Sequence, residues 1–128
     1  MKRILTALLL ALALTGFAAH ASDDSRIVGT YEGTFKIQNE INIGLRINVG
    51  SVDGQNVKGS VVFYGKFCGG EFPMEGTTEG KAVLLTTRAS SYCESRKFVL
   101  QHEGNRLVGK LIVLTGSMAG EYPVEVRK

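Results

Sequence analysis

The chain has 128 residues, 15 basic against 12 acidic, a formal charge of +3, two cysteines and no tryptophan. Two of the basic residues, Lys2 and Arg3, fall in an N-terminal leader, so the remainder is close to neutral at about +1 and the basic surplus argues for no nucleic-acid partner. A chain of this size has room for one small domain and one core.

Met1-Lys2-Arg3 is followed by an apolar run from Ile4 to Phe17 and by the small residues of Ala19-His20-Ala21. This pattern predicts a secretory leader over residues 1–21, cleaved near Ala21, because the apolar run is too short to span a bilayer. Residues 22–128 are then expected as a single domain in the periplasm or outside the cell, with no membrane span.

From there the apolar residues recur every second position, the period of half-buried strands. Strands are predicted over 27–37, 41–49, 57–64, 71–75, 82–87, 97–102, 106–114 and 121–127. Asp53-Gly54, Gly69-Gly70, Glu79-Gly80 and Gly104-Asn105 mark turns between them. Eight short strands with short connections predict an all-β fold, a small antiparallel meander closed into a barrel or flattened barrel, with a two-sheet sandwich as the alternative.

Residues 57–75, VKGSVVFYGKFCGGEFPME, align without a gap on 107–125, LVGKLIVLTGSMAGEYPVE. The alignment joins Gly59 to Gly109 and the Glu71-Phe-Pro-Met-Glu75 run to Glu121-Tyr-Pro-Val-Glu125. A fainter echo relates Thr30–Gly33 to Thr77–Gly80. The repeat predicts pseudo-twofold halves of four strands each, about 27–76 and 77–128. Pro73 and Pro123, which cannot donate to a ladder, should face outward where the fourth and eighth strands pair least.

Cys68 and Cys93 both follow the leader, and an even count in an oxidising compartment predicts a disulfide. It would close a loop of about 26 residues and contribute on the order of 3 kcal/mol. In a meander both lie in loops at the same end. With His102 the one histidine past the leader and no Cys-x-x-Cys, neither a metal site nor a cofactor is expected. No nucleophile or metalloprotease motif is present, and the Glu71/Glu75 and Glu121/Glu125 pairs, set outward beside the prolines, read as charge that blocks unwanted strand pairing rather than as an acid and base. The chain is therefore not expected to be an enzyme, a minor hydrolase built on those glutamates being the weakest alternative.

The loops at the cysteine end carry Lys66, Phe67, Arg88, Tyr92, Glu94, Arg96 and Lys97, whereas the other end is mainly small and polar. This rim is the expected partner surface, meeting an acidic protein or an envelope glycan, as an inhibitor or immunity protein of a cell-wall hydrolase would. A second candidate surface is apolar. Val62, Tyr64, Ile112 and Leu114 face away from the core side of their strands and call for cover by the chain itself, by a partner or by a second copy in a homodimer.

The alternative is a lipocalin-like carrier of a small apolar ligand in the barrel interior. Tyr31, Phe35, Ile37, Ile43, Leu45, Ile47, Val61, Phe63, Leu111 and Val113 point inward, enough bulk to fill it. Lipocalin and avidin barrels carry Gly-x-Trp near the first strand, where this chain has Gly29-Thr30-Tyr31, so no kinship with them is drawn.

Overall fold

The computed structural model describes residues 25–65, 69–88 and 93–128. Eight strands follow one another: β1 Gly29–Ile37, β2 Ile41–Asp53, β3 Asn56–Phe63, β4 Gly70–Glu79, β5 Ala82–Thr87, β6 Arg96–Glu103, β7 Arg106–Val113 and β8 Gly120–Arg127. Each is antiparallel to the next and β8 returns to β1, which closes the barrel and excludes the two-sheet sandwich. β2 and β4 run four residues further than their patterns predict, because hairpin pairing with β3 and β5 carries them past the last clear alternation.

Alternation decides the faces. In β5, Val83, Leu85 and Thr87 are buried while Ala82, Leu84 and Thr86 look outward. The even-numbered hairpins turn over two residues each, with Gly54, Gly80 and Gly104 in the left-handed region at φ near +60° that side chains disfavour. The loops after β1, β3, β5 and β7 are longer and share the opposite end. At the even-loop end a 3-10 turn, Ser25–Ile27, enters the core: Ile27 is buried and its carbonyl accepts a hydrogen bond from the Tyr31 hydroxyl at 2.8 Å.

The expected inward set is buried, except that Ile37 at the end of β1 is half-buried. Phe63 stacks on Phe98 at 6.3 Å and meets Phe35 edge-on at 6.2 Å, so an aromatic layer fills the barrel below the odd-numbered loops.

The prolines sit where pairing lapses. Pro73 lies opposite Ser60 of β3, but the β4–β5 ladder begins only at Met74. Pro123 lies opposite Lys110 of β7, and β8 meets β1 over just three registered pairs, all beyond it. A missing N–H there costs no ladder bond.

The aligned hairpins superimpose in register: Val61 opposes Phe72 as Leu111 opposes Tyr122, and Gly59 opposes Met74 as Gly109 opposes Val124. A methyl group on Gly59 would overlap the Asn48 carbonyl oxygen, and one on Gly109 the Val99 carbonyl oxygen, so both positions admit only hydrogen. The fainter echo does not correspond structurally. Thr30–Gly33 is mid-β1, whereas Thr77–Glu79 ends β4 and Gly80 turns; the strand that stands to β6 as β1 stands to β2 is β5. One register shift interrupts β2, between Val49 and Ser51. Allowing for it, Leu45, opposite Phe63, stands where Arg96 stands opposite Val113, and Val52, opposite Val57, stands where His102 stands opposite Leu107.

Candidate functional site

Of the expected rim residues, Lys66, Phe67, Cys68 and Tyr92 lie outside the described residues. Arg88 and Lys97 are exposed at the odd-loop end. Arg88 borders an open hollow with Pro73, Glu75 and Thr86, in the gap that Pro73 leaves between β4 and β5. Cys93 is 6% exposed, and no cysteine among the described residues is free.

Arg96 departs from its expected place on the loop surface. It is 4% exposed and points into the barrel, with its guanidinium carbon 4.9 Å from the Phe63 ring centre. Strand parity puts it there, because Phe98 and Leu100 of β6 are both inward and Lys97 is outward. The alternation was visible in the sequence, and the charge obscured it. Burial pushes the Arg96 pKa down, and the nearby Glu94 carboxylate partly offsets this. The base of the loop is laced from beneath: the Arg96 N–H donates to Thr87 Oγ1 at 3.0 Å and Ser95 Oγ donates to the Thr87 carbonyl at 2.6 Å.

Apolar side chains edge the core at this end. Ile37 of β1, Phe72 of β4 and Met118 of the loop after β7 are half-buried and pack against the core cluster. Phe72 lies 6.1 Å from Phe63, and the Tyr122 hydroxyl donates to the Met118 carbonyl at 2.6 Å, which fixes that loop over the opening. Sequence reading missed this ring because its members come from three distant segments.

The second expected surface divides in two. Val62 lies on β3 with Tyr64 just past its end, Ile112 lies on β7 with Leu114 just past its end, and these strands face each other across the barrel. Val62 and Ile112 are half-buried. Tyr64 lies against Gly44, where a Cβ would come within 3.0 Å of its ring. Arg46 covers it at 5.8 Å while bonding Glu32 at 2.9 Å. Ile112 lies between Lys97 and Glu121 on the neighbouring strands. Leu114 remains 71% exposed.

The glutamate pairs are outward, and the second pair is occupied. Glu121 pairs with Lys110, and Glu125 with Arg106 at 3.1 Å and Arg127 at 2.8 Å. The Arg127 hydrogen bond holds the Glu125 carboxyl below the usual range, the opposite of what a general acid needs. His102 is half-buried at the far end of β6; burial lowers its pKa, and Lys128 and Arg26 add to that. Its Nε2 is buried with no hydrogen-bond partner among the described residues. Among the described residues no cluster of three or more His, Cys, Asp or Glu could hold a metal ion.

No protein-family model, no curated protein and no solved structure matches this chain.

Proposed function

We propose that the chain is a non-catalytic binding protein of the periplasm or extracellular space, freed of residues 1–21, which takes an acidic partner, a protein or an envelope glycan, at its odd-loop rim. The observation that carries this reading is where exposed apolar side chains collect. Of five exposed large hydrophobic residues among those described, Ile41 at 50%, Tyr64 at 45% and Leu114 at 71% stand at this one end, beside the cations Arg88 and Lys97. Apolar contact flanked by charge is the composition of a recognition surface. A Cys68–Cys93 bridge would tie two of its loops together. The two four-stranded halves, with their common register, supply a rigid support.

The test is an amide-resolved NMR titration of residues 22–128 with a soluble anionic envelope glycan and, separately, with an acidic peptide. Shifts confined to residues 38–41, 64–71, 88–97 and 114–119, and abolished by Arg88→Glu with Lys97→Glu, are expected. Arg96 is left intact because it is buried. Shifts elsewhere, none with either probe, or concentration-dependent self-association through the same residues would replace the reading.

A further inference from the structure

We infer that the hollow on the outer wall over β2, β3 and β4, lined by the carboxylates of Asp53 and Glu75, takes the guanidinium of an arginine side chain presented by a partner protein. The hollow lies toward the even-loop end, apart from the rim, and neither site depends on the other.

The second half of the barrel holds the same arrangement already filled. There Arg106 stands between two carboxylates, with Nη2 at 3.3 Å from Glu103 and Nη1 at 3.1 Å from Glu125, and Arg127 lies 2.8 Å from the second oxygen of Glu125. Register gives each of these residues its counterpart. Asp53 opposes Asn56 as Glu103 opposes Arg106, and Asn56 opposes Thr77 as Arg106 opposes Arg127. The sequence repeat matches Glu75 to Glu125. The first half therefore keeps both carboxylates and lacks both arginines, with asparagine and threonine in their places. An open hollow of about 370 Å³ lies there, lined by Asp53, Asn56 and Glu75 together with Ser51 and Lys58.

Asp53 reaches this wall through the interruption of β2. The inward positions are the odd ones from Ile43 to Val49, and the register shift between Val49 and Ser51 turns Ser51 and Asp53 outward, as bulges beside functional sites re-aim side chains. Asp53, Glu75 and Lys58 make no ion pair among the described residues, although Lys58 stands directly opposite Glu75. Two carboxylates against one ammonium leave the hollow net negative. A guanidinium suits it because a planar fork offers separate N–H groups to two carboxylates at once, as Arg106 does, whereas an ammonium is a single point charge. Exposed ion pairs are individually weak, so the site is one anchor within a larger contact.

The experiment uses residues 22–128 and three capped peptides, Gly-Arg-Gly and its lysine and citrulline analogues, at constant ionic strength, followed by amide-resolved NMR. The arginine peptide should shift residues 51–58 and 75–77 and bind more tightly than the citrulline peptide by about five- to thirtyfold, the worth of one or two exposed ion pairs. The lysine peptide should fall between them. Asn56→Arg supplies the guanidinium within the chain, as Arg106 does, and should abolish the shifts. Arg106→Asn combined with Arg127→Thr should open a second site, adding shifts at residues 101–106 and 125–127. These positions lie on the outer wall, where substitution leaves the core untouched. Equal affinity of the arginine peptide and either analogue, binding undiminished in Asn56→Arg, no second site in the double variant, or no shift at about 50 mM would overturn the inference. Binding seen only in Lys58→Val would overturn it too, because Lys58 would then already fill the place.

Discussion

Replacing Arg96 with leucine should stabilise the barrel. The substitution removes an ionised group that is 4% exposed, inserted in a layer of phenylalanines, and installs the residue already present at the equivalent Leu45. On the favourable side, several kcal/mol of residual desolvation disappear. Against this, the cation–π contact with Phe63 contributes about 0.5–2 kcal/mol, and the attraction of the nearby Glu94 carboxylate is lost with the charge. The Nη1 bond to the Glu94 carbonyl, at 3.5 Å, is too long to be worth more than a fraction of an ordinary one. Leucine is also shorter than the arginine stem and leaves some unfilled volume, at about 24 cal/mol per Å³. The balance is a gain of about 1–2 kcal/mol, in line with buried charges exchanged for hydrophobic residues elsewhere, and a rise in Tm of roughly 5–10 °C for a domain of this size. Equilibrium urea unfolding of residues 22–128 at pH 7, without reductant, measures it. A loss of more than about 1 kcal/mol would refute the reasoning that the charge opposes folding at this site.

Gly59→Ala and Gly109→Ala should each cost about 1–3 kcal/mol in the same assay, since a methyl at either meets a backbone carbonyl that cannot retreat; a neutral result would mean that the β2–β3 and β6–β7 strands are further apart than described. His102 has a folded-state pKa below its ordinary value of 6.5, so the unfolded chain binds the proton more readily, and the stability tied to the neutral imidazole should fall as pH drops through and below 6.5. Stability measured between pH 7.5 and 5.5 should decline less in His102→Val, the residue found at the equivalent position 52, and identical profiles would remove His102 as the cause. Thiol titration of denatured, unreduced protein should find no reactive cysteine, and two reactive thiols would exclude the bridge between Cys68 and Cys93.

Much of the fold was legible because alternation is a local property. β5 spans Ala82–Thr87 as its pattern predicts, and the turns at Gly54, Gly80 and Gly104 fall at the hairpins where they were placed, whereas Gly70 of the predicted Gly69-Gly70 turn begins β4. The ends of β2 and β4 were not legible, since there the partner strand, and not the residue pattern, sustains the extended backbone. For the candidate site the reverse held. Charge led Arg96 to be assigned to the surface, although the inward parity of Phe98 and Leu100 already fixed its direction.

The sequence by itself determined that the chain is all-β with eight strands, which side chains face inward, and that two segments fifty residues apart share one pairing pattern, because period, turn chemistry and repeat are written in neighbouring residues. Tertiary structure alone decided that the sheet closes between β8 and β1 rather than splitting into two layers. It also placed Val62 and Ile112 on opposite walls, and packed Ile37, Phe72 and Met118 from three distant segments against one core. Those outcomes depend on curvature and register accumulated around the barrel, where residues far apart in the chain become neighbours only once the last strand pairs with the first.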